Sequence, residues 1–515
     1  MPLHRYLFSL FASVLITTIT LAQTIVPQDT LLPAPKHEFR GVWIATVVNL
    51  DWPQNARATA EMQKKDLVTQ LNSHQQTGIN AIMFQVRPAA DAFYAKSREP
   101  WSKYLTGRQG QTPDYDPLQF ATEEAHKRGM ELHAWFNPYR ATFDNKFSTI
   151  APDHITRTKP EWFFIYEGIK LFNPGLPEVR EYIVQVILDV VKNYDVDGIH
   201  MDDYFYPYPA KGQVINDADA YKQYGGDFDN IKDWRRSNVD TLIKMMGDSI
   251  HKYKPRMKFG ISPFGIWANQ SQHPDGSDTH GGSSYIENFA DTRQWMQEGW
   301  IDYINPQLYW HIGNRAAAFD KLLSWWSNNT YNRHLYVGQA PYRFYEQRSP
   351  AFKNPSEIPN QLRLIRANPR AQGSVYFRSL SLLGNANHLA DSLKDNFYKY
   401  PALPPPMLWL DSIPPNAPQN FIGKAENKSV VLKWTAPLPA KDGEPVYGYI
   451  VYRFTANEKF DMSNPANILH IQYDTEPVYV DSNVNAGKTY FYIVTAIDRL
   501  KNESERTPTM AVVAQ

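Results

Sequence analysis

The sequence predicts an α/β fold: a (β/α)8 TIM barrel over most of the chain, followed by a small all-β sandwich. Three observations carry this. Between Glu38 and about Tyr400, apolar runs of strand type alternate with helical runs, the pattern of a parallel sheet with crossover helices. Strand-type runs occur eight times in that stretch, the number that closes a barrel. Beyond a crowd of prolines (Pro401, Pro404, Pro405, Pro406, Pro414, Pro415 and Pro418) the pattern changes to alternating β residues.

The elements follow in chain order. Residues 1–22 read as an export signal: His4 and Arg5, an apolar run from Tyr6 to Ile16, then small residues to Ala22, where cleavage is expected. The run is too short and too rich in Thr for a span of about 20 apolar residues, so no stable membrane span is expected after cleavage. Residues 23–37 are a linker with Pro27, Pro33 and Pro35. The barrel is expected over residues 38–400. Its strands are Gly41–Val47, Asn80–Val86, Glu131–Phe136, Asp197–Met201, Met257–Ile261, Tyr303–Leu308, Leu335–Gln339 and Ser374–Phe377. Helices fall at 59–76, closed by Gly78, at 117–128, closed by Gly129, and at 178–193, opened by Pro177. In the last of these Val184, Ile187, Leu188 and Val191 share one face. Residues 401–417 form a stiff proline-rich linker. Residues 418–515 carry the strands Val430–Trp434, Tyr447–Arg453 and Thr489–Asp498, in the spacing of a small sandwich.

Composition narrows the function. The 53 Lys and Arg balance the 53 Asp and Glu, so there is no basic surplus of the kind nucleic-acid binding uses. Cysteine is absent, which excludes disulfides, thiolate catalysis, Cys-bound zinc and lipid attachment to an N-terminal Cys. The expected product is therefore exported, periplasmic or secreted, and not a lipoprotein. Aromatic residues reach 14 %, with 31 Tyr and 14 Trp. Flat rings suit sugar faces, and they equally fill a large core.

In a barrel of this kind the active site lies at the C-terminal ends of the strands. Side chains alternate in direction along a strand, so Gly198, His200 and Asp202 face the axis while Ile199 and Met201 pack against helices. Asp202 emerges at the mouth. Asp203 has the opposite parity or opens the loop, and Asp197 stands at the wrong end of its strand for chemistry. A carboxylate at the mouth can act as nucleophile, base or electrostatic stabiliser. The candidate binding residues are Trp43 on the first strand, Gln85 and Arg87 on the second, and Trp135, Asn137 and Tyr139 on the third. His200 and Tyr204 on the fourth and Gln307, Tyr309 and Trp310 on the sixth complete them. Any one of these could simply satisfy loop backbone. Together, neutral donors and flat rings suit a hydroxyl-rich polysaccharide. No pair among His133, His200, Asp202 and His311 has metal-motif spacing, so neither a metal nor another cofactor is expected. The segment His273–Gly282 reads as a polar loop rather than a calcium site.

Several motifs in order resemble the bacterial glycosyl-hydrolase-like family ten. They are Glu38-Phe39-Arg40-Gly41-Val42-Trp43 with Asp51-Trp52-Pro53, Gln85-Val86-Arg87-Pro88 with Asp91-Ala92-Phe93-Tyr94, the run from His133 to Arg140, the fourth-strand segment and Asn305-Pro306-Gln307-Leu308-Tyr309-Trp310. The likeness covers about residues 38–345 and implies a glycosidase barrel. Some members of that family are periplasmic lipoproteins acting on peptidoglycan glycan strands stripped of their peptides; this chain departs from them in lacking the lipidated Cys. Chitinase-type barrels are less similar, since His200 and Tyr204 stand where their Asp and catalytic Glu are expected. Trp434, the Tyr449–Tyr452 strand and the Tyr490–Asp498 strand with Asn502-Glu503-Ser504 resemble fibronectin type III domains, modules that space or dock others.

Glycoside hydrolysis generally uses two carboxyl groups. Asp202 is expected as nucleophile or base, kept ionised by Arg87 or His200 nearby. The acid is expected to be Asp203 or Asp91. The alternative is a non-catalytic glycan-binding barrel, since the fifth and sixth strand ends show Ser262 and Gln307 in place of a partner acid.

Overall fold

The computed structural model describes residues 33–515 except 145, 347 and 348. The export signal and most of the N-terminal linker lie outside the described residues. The barrel strands are β1 (Phe39–Ile44), β2 (Ala81–Arg87), β3 (Glu131–Phe136), β6 (Gly198–Met201), β7 (Lys258–Ile261), β8 (Tyr303–Ile304), β9 (His334–Gln339) and β10 (Gly373–Tyr376). A hairpin, β4 (Phe163–Tyr166) and β5 (Ile169–Phe172), interrupts the connection from β3 to β6. The eight barrel strands pair in chain order, all parallel, and β10 closes onto β1. The expected strands match within a few residues. β8 is the exception: it stops after Ile304, because Pro306 has no N–H to donate, and pairing resumes only as single bridges at Gln307.

The surrounding helices start and stop where their caps dictate. Thr59 accepts from the Met62 amide to open the helix Ala60–Thr77, and Gly78 closes it in the left-handed region at φ 88°. Asp116 accepts from the amides of Leu118 and Gln119 to open Pro117–His126. Pro177 opens Pro177–Asn193, which buries Val184, Ile187, Leu188 and Val191 against the strands.

The barrel axis is filled by rings and a buried polar chain. Phe39, Trp43, Met83, Trp135, Tyr303, Tyr336 and Val375 pack there. Glycines make room for these rings. A Cβ on Gly198 would lie 2.5 Å from Nδ1 of His133, and one on Gly260 would lie 2.2 Å from the Tyr303 ring. The polar chain has a fixed direction. An indole N–H can only donate, so Trp43 donates to Nε2 of His200 at 3.1 Å, and the His200 proton must sit on Nδ1. That nitrogen donates to the Tyr303 hydroxyl at 3.0 Å, which donates to Nδ1 of His133 at 2.9 Å. Nε2 of His133 then donates to Glu131 at 3.2 Å. Lys258 meets both Glu131 oxygens at 2.7 Å on the floor of the barrel.

The C-terminal part is a two-sheet sandwich. β11 (Gln419–Glu426), β12 (Ser429–Thr435) and β15 (Val478–Asp481) form one sheet. β13 (Gly448–Thr455), β14 (Ile468–Gln472), β16 (Thr489–Ile497) and β17 (Met510–Val513) form the other. Trp434, Tyr449, Tyr492 and Val494 lie in the core between them. The sandwich sits against the N-terminal ends of the barrel strands. Arg499 pairs with Asp195 and Asp197, and Tyr473 packs so closely on Gly129 that a Cβ there would meet its ring at 2.2 Å. Lys501, buried, reaches to 3.8 Å from Glu131 and lies over the Tyr447 ring at 4.4 Å. The proline-rich segment lies along the barrel floor rather than extending freely. Met407 is sealed among the axial residues, and the Trp409 indole donates to Asp302 at 2.8 Å.

Gly198→Ala should destabilise the chain by about 1–3 kcal/mol, the usual cost of overpacking a core. His133 is held on both ring nitrogens and cannot yield. Urea denaturation monitored by tryptophan fluorescence will measure the loss; an unchanged midpoint would mean that the axis is loosely packed.

Candidate active site

At the C-terminal ends of the strands, β6 delivers two consecutive carboxyls into the mouth. The alternation along β6 holds: Ile199 and Met201 pack in the outer core, while His200 sits on the axis. Asp202 is nearly buried. Its Oδ2 accepts from the Trp135 indole at 3.0 Å and from the Asn137 amide at 3.3 Å, and its Oδ1 accepts from the Tyr204 backbone N–H at 3.3 Å. Asn137 is oriented for this because its Oδ1 accepts the Arg140 backbone N–H at 2.9 Å, which turns its NH2 toward Asp202. Asp203, also nearly buried, accepts from the Tyr208 hydroxyl and from the Gln307 side chain. Gln307 in turn donates to the Ser262 carbonyl at 3.1 Å.

Burial pushes the Asp202 carboxyl up to about 7, with the neighbouring Asp203 charge adding to it and Arg140 opposing it. Burial raises Asp203 as well, against its hydrogen bonds from Tyr208 and Gln307. Two adjacent carboxyls in a desolvated mouth cannot both ionise easily, so near neutral pH the pair carries one proton.

Two chains of rings flank the carboxyls. Tyr204, Tyr208, Phe264 and Trp310 meet edge to face in succession, with centroids 6.1, 6.0 and 5.5 Å apart. Trp43 meets Phe377 at 5.8 Å, Phe377 stacks on Tyr309 at 5.9 Å, and Tyr309 meets Tyr342 at 5.8 Å. Tyr204 is 43 % exposed and offers its ring to the solvent.

Not every expected residue faces this space. Arg87 is fully buried in a two-pronged ion pair with Glu99, at 2.7 Å for each contact, and also donates to the Asn137 carbonyl. Its charge is already matched, and the cation beside Asp202 is Arg140. His200 does not supply a charge either: burial, with His133 beside it, drives its imidazole well below the usual range, and its Nε2 must stay unprotonated to accept from Trp43. Asp202 is thus not held ionised by Arg87 or His200. Gln85 accepts the Thr46 and Val47 amides at 3.0 and 2.8 Å and so ties off the end of β1. Tyr139 is buried in the outer core. Asp91 is closed off from solvent, bonded by Gln109 at 3.2 Å and pushed up to about 6 by burial, with Glu99 and Arg87 as its charged neighbours. The structure brings Asp202, Asp203, Trp43, Trp135, Asn137, Tyr204, Gln307, Tyr309 and Trp310 together at the mouth. It places Asp91, Gln85, Arg87 and Tyr139 behind it.

Sequence reasoning left Arg140, Tyr208, Tyr342 and Phe377 out of the candidate site. Arg140 ends the third-strand run, and Tyr208 continues an alternating series of tyrosines from Tyr204 and Tyr206. Both signals were available. Glu99, twelve positions after Arg87 in a loop, had none.

Among the described residues, the grouping that could hold a metal ion is Asp411, Asp442 and Glu444, remote from the mouth at the domain junction. The Arg256 guanidinium already occupies it, at 2.7, 2.7 and 3.4 Å. In the segment His273–Gly282, Asp275 pairs with Arg293 and Asp278 with Lys321.

Comparison with known proteins bears on this site. The chain is 43 % identical over 474 residues to the glycosyl hydrolase YngK of Bacillus subtilis (strain 168), an alignment covering 91 % of this chain and 92 % of that protein. It is 39 % identical over 365 residues to the glycosyl hydrolase DigH of Escherichia coli (strain K12), covering 66 % of this chain and 82 % of DigH. The family described as glycosyl hydrolase-like 10 matches residues 38–352, which takes in both carboxyls and every ring of the two walls except Phe377. The resemblance read from the motifs holds, and the chain belongs to the glycosyl hydrolase-like 10 family.

Proposed function

We propose that this protein is an exported glycoside hydrolase that cleaves glycosidic bonds in a bacterial polysaccharide, with peptidoglycan glycan strands as the first substrate to test. The observation that carries the reading is the carboxyl pair Asp202 and Asp203, desolvated and walled by rings at the mouth of the barrel. The names of the relatives YngK and DigH, both glycosyl hydrolases, support it.

The singly protonated pair holds an acid and a base at once. The proton is shared by the pair; in the form with it on Asp203, Asp202, which accepts from Trp135, Asn137 and the Tyr204 amide, is the ionised partner. As the glycosidic C–O bond breaks, Asp203 gives its proton to the leaving oxygen. Asp202 attacks the anomeric carbon or takes a proton from the water that does. The aromatic walls hold the sugar rings, and Gln307 orients Asp203.

Incubation of the chain from Gln23 onward with peptide-free peptidoglycan glycan, chitin oligomers and an α-glucan tests the reading. New reducing ends from the peptidoglycan glycan are expected, and Asp202→Asn should lower their rate on the order of 10³-fold or more. Binding without cleavage of any polymer would favour a glycan-binding barrel instead.

The pH profile should fall on its alkaline side near pH 7, where the pair loses its shared proton. In Asp203→Asn the rate should drop on the order of 10²-fold, and the residual activity should lose that alkaline limb, because no acid remains to be deprotonated. A limb that persisted unchanged would place the acid elsewhere.

The same ionisation weakens the fold. A carboxyl raised to about 7 on folding destabilises the native state fully above that pH and not at all below its unfolded value of about 4. Asp202→Asn should therefore melt higher than the wild type at pH 8. The difference should shrink as the pH falls toward 4, as scanning calorimetry at several pH values will show.

A further inference from the structure

The hairpin of β4 and β5 stands between the third and fourth barrel strands in the chain without joining the barrel. Backbone bonds tie it to the segment after β3. The Phe172 N–H donates to the Tyr139 carbonyl at 2.9 Å, and the Ala141 N–H donates to the Lys170 carbonyl at 3.0 Å. Alternation along β4 puts Phe164 and Tyr166 on the buried side and leaves Ile165 exposed. Phe164, Tyr166 and Leu171 pack in a small cluster with Ala210 and Ile215, which belong to the loop that follows the carboxyl pair.

That loop contains Pro207 and Pro209, which have no N–H, so the stretch is short of donors for its own carbonyls. One hydroxyl makes up the deficit. Tyr166 donates to the Tyr208 carbonyl at 2.9 Å and accepts from the Ala210 N–H at 2.9 Å. The Glu167 N–H adds a bond to the Gln213 side chain at 3.2 Å. Tyr208, clasped by its backbone in this way, donates its own hydroxyl to Oδ2 of Asp203, and its ring meets Tyr204 and Phe264 edge to face.

We propose that the hairpin is a positioning device for the carboxyl pair: Tyr166 fixes the loop at residues 208–210, and the loop holds the Tyr208 hydroxyl on Asp203. Both tyrosines are positioning residues, acting on the chemistry only through Asp203. The proposal rests on the glycosidase reading of the same mouth and adds a remote residue that tunes it. The effect has a sign. A hydroxyl that donates to a carboxyl favours the ionised form, so Tyr208 opposes the burial that raises Asp203. Gln307 and Arg140 act in the same direction. Asp202, Tyr204 and Tyr309 are the other titratable groups that sense the Asp203 charge. Freeing Tyr208 should therefore let the pair keep its shared proton to higher pH.

The test compares wild type, Tyr208→Phe, Tyr166→Phe, the double variant and Ile165→Ser, each as the chain from Gln23 onward. NMR of protein isotope-labelled at the Asp carboxyl carbons reads the titration of the pair directly, with the two signals assigned by their loss in Asp202→Asn and Asp203→Asn. The upper midpoint should move up by about one pH unit in Tyr208→Phe and by about half of that in Tyr166→Phe. Tyr166→Phe should add nothing to Tyr208→Phe in the double variant, because both act by one route. Ile165→Ser, on the exposed side of the same hairpin, should leave the midpoint in place. With peptide-free peptidoglycan glycan the alkaline limb should move in the same order. There kcat should fall about tenfold in Tyr208→Phe and about threefold in Tyr166→Phe, while KM changes less than about twofold. A purely structural hairpin would give Tyr166→Phe a lower melting temperature and an unmoved midpoint, and that result would overturn the proposal. So would an unmoved midpoint in Tyr208→Phe, full additivity in the double variant, or an equal shift in Ile165→Ser. Wild type that releases no reducing ends from any polymer would remove the hydrolase reading, and the carboxyl titration would still decide the role of the hairpin.

Discussion

The structure depends on a buried carboxylate at the floor of the barrel. Burial alone would drive Glu131 toward its neutral form; Lys258, the His133 hydrogen bond and Lys501 together hold it well below the ordinary range instead. With that end of the axial chain fixed as an acceptor, every hydrogen bond above it has one permitted direction, up to the Trp43 indole beneath the mouth. An unpaired charge at this depth costs several kcal/mol, so the cations on the floor and the tautomers on the axis form one constraint. The glycines at 198 and 260 are its steric counterpart, since the rings that carry the chain occupy the space their side chains would fill.

Much of this was legible in the chain. Alternation of strand and helix runs is a strong signal because each barrel strand must be covered by a helix, and caps such as Thr59, Asp116 and Pro177 mark where those helices begin. Parity along the fourth barrel strand placed Asp202 correctly, because a strand has only two faces. Parity failed to separate site from scaffold on the second strand. Gln85 and Arg87 do point away from the helices, but Thr46, Val47 and Glu99 claim them first. A pairing across a loop, such as Arg87 with Glu99, leaves no periodic trace. Neither does the reach of Lys501 to Glu131, across 370 positions of the chain.

The prolines between the two folds mark a change in architecture, yet they do not loosen it. A proline-rich stretch is stiff and short of donors, which also suits it to lie flat on a surface that offers donors and apolar contacts. Met407 and Trp409 supply those contacts, and Asn502 of the sandwich donates back to the Asp411 carbonyl at 3.1 Å. Composition alone cannot tell a spacer from a seam, because the difference lies in what the segment meets.

The sandwich closing the barrel floor has a consequence for orientation. The two folds meet through Arg499, Tyr473 and Lys501 on the barrel floor, and the mouth faces the side opposite the seam. Anything that tethers the protein through its sandwich, whether a surface or a fused partner, therefore presents the mouth outward, toward whatever polymer the tether faces. The seam acts as a compass: the C-terminal fold decides which way the chemistry looks without touching it.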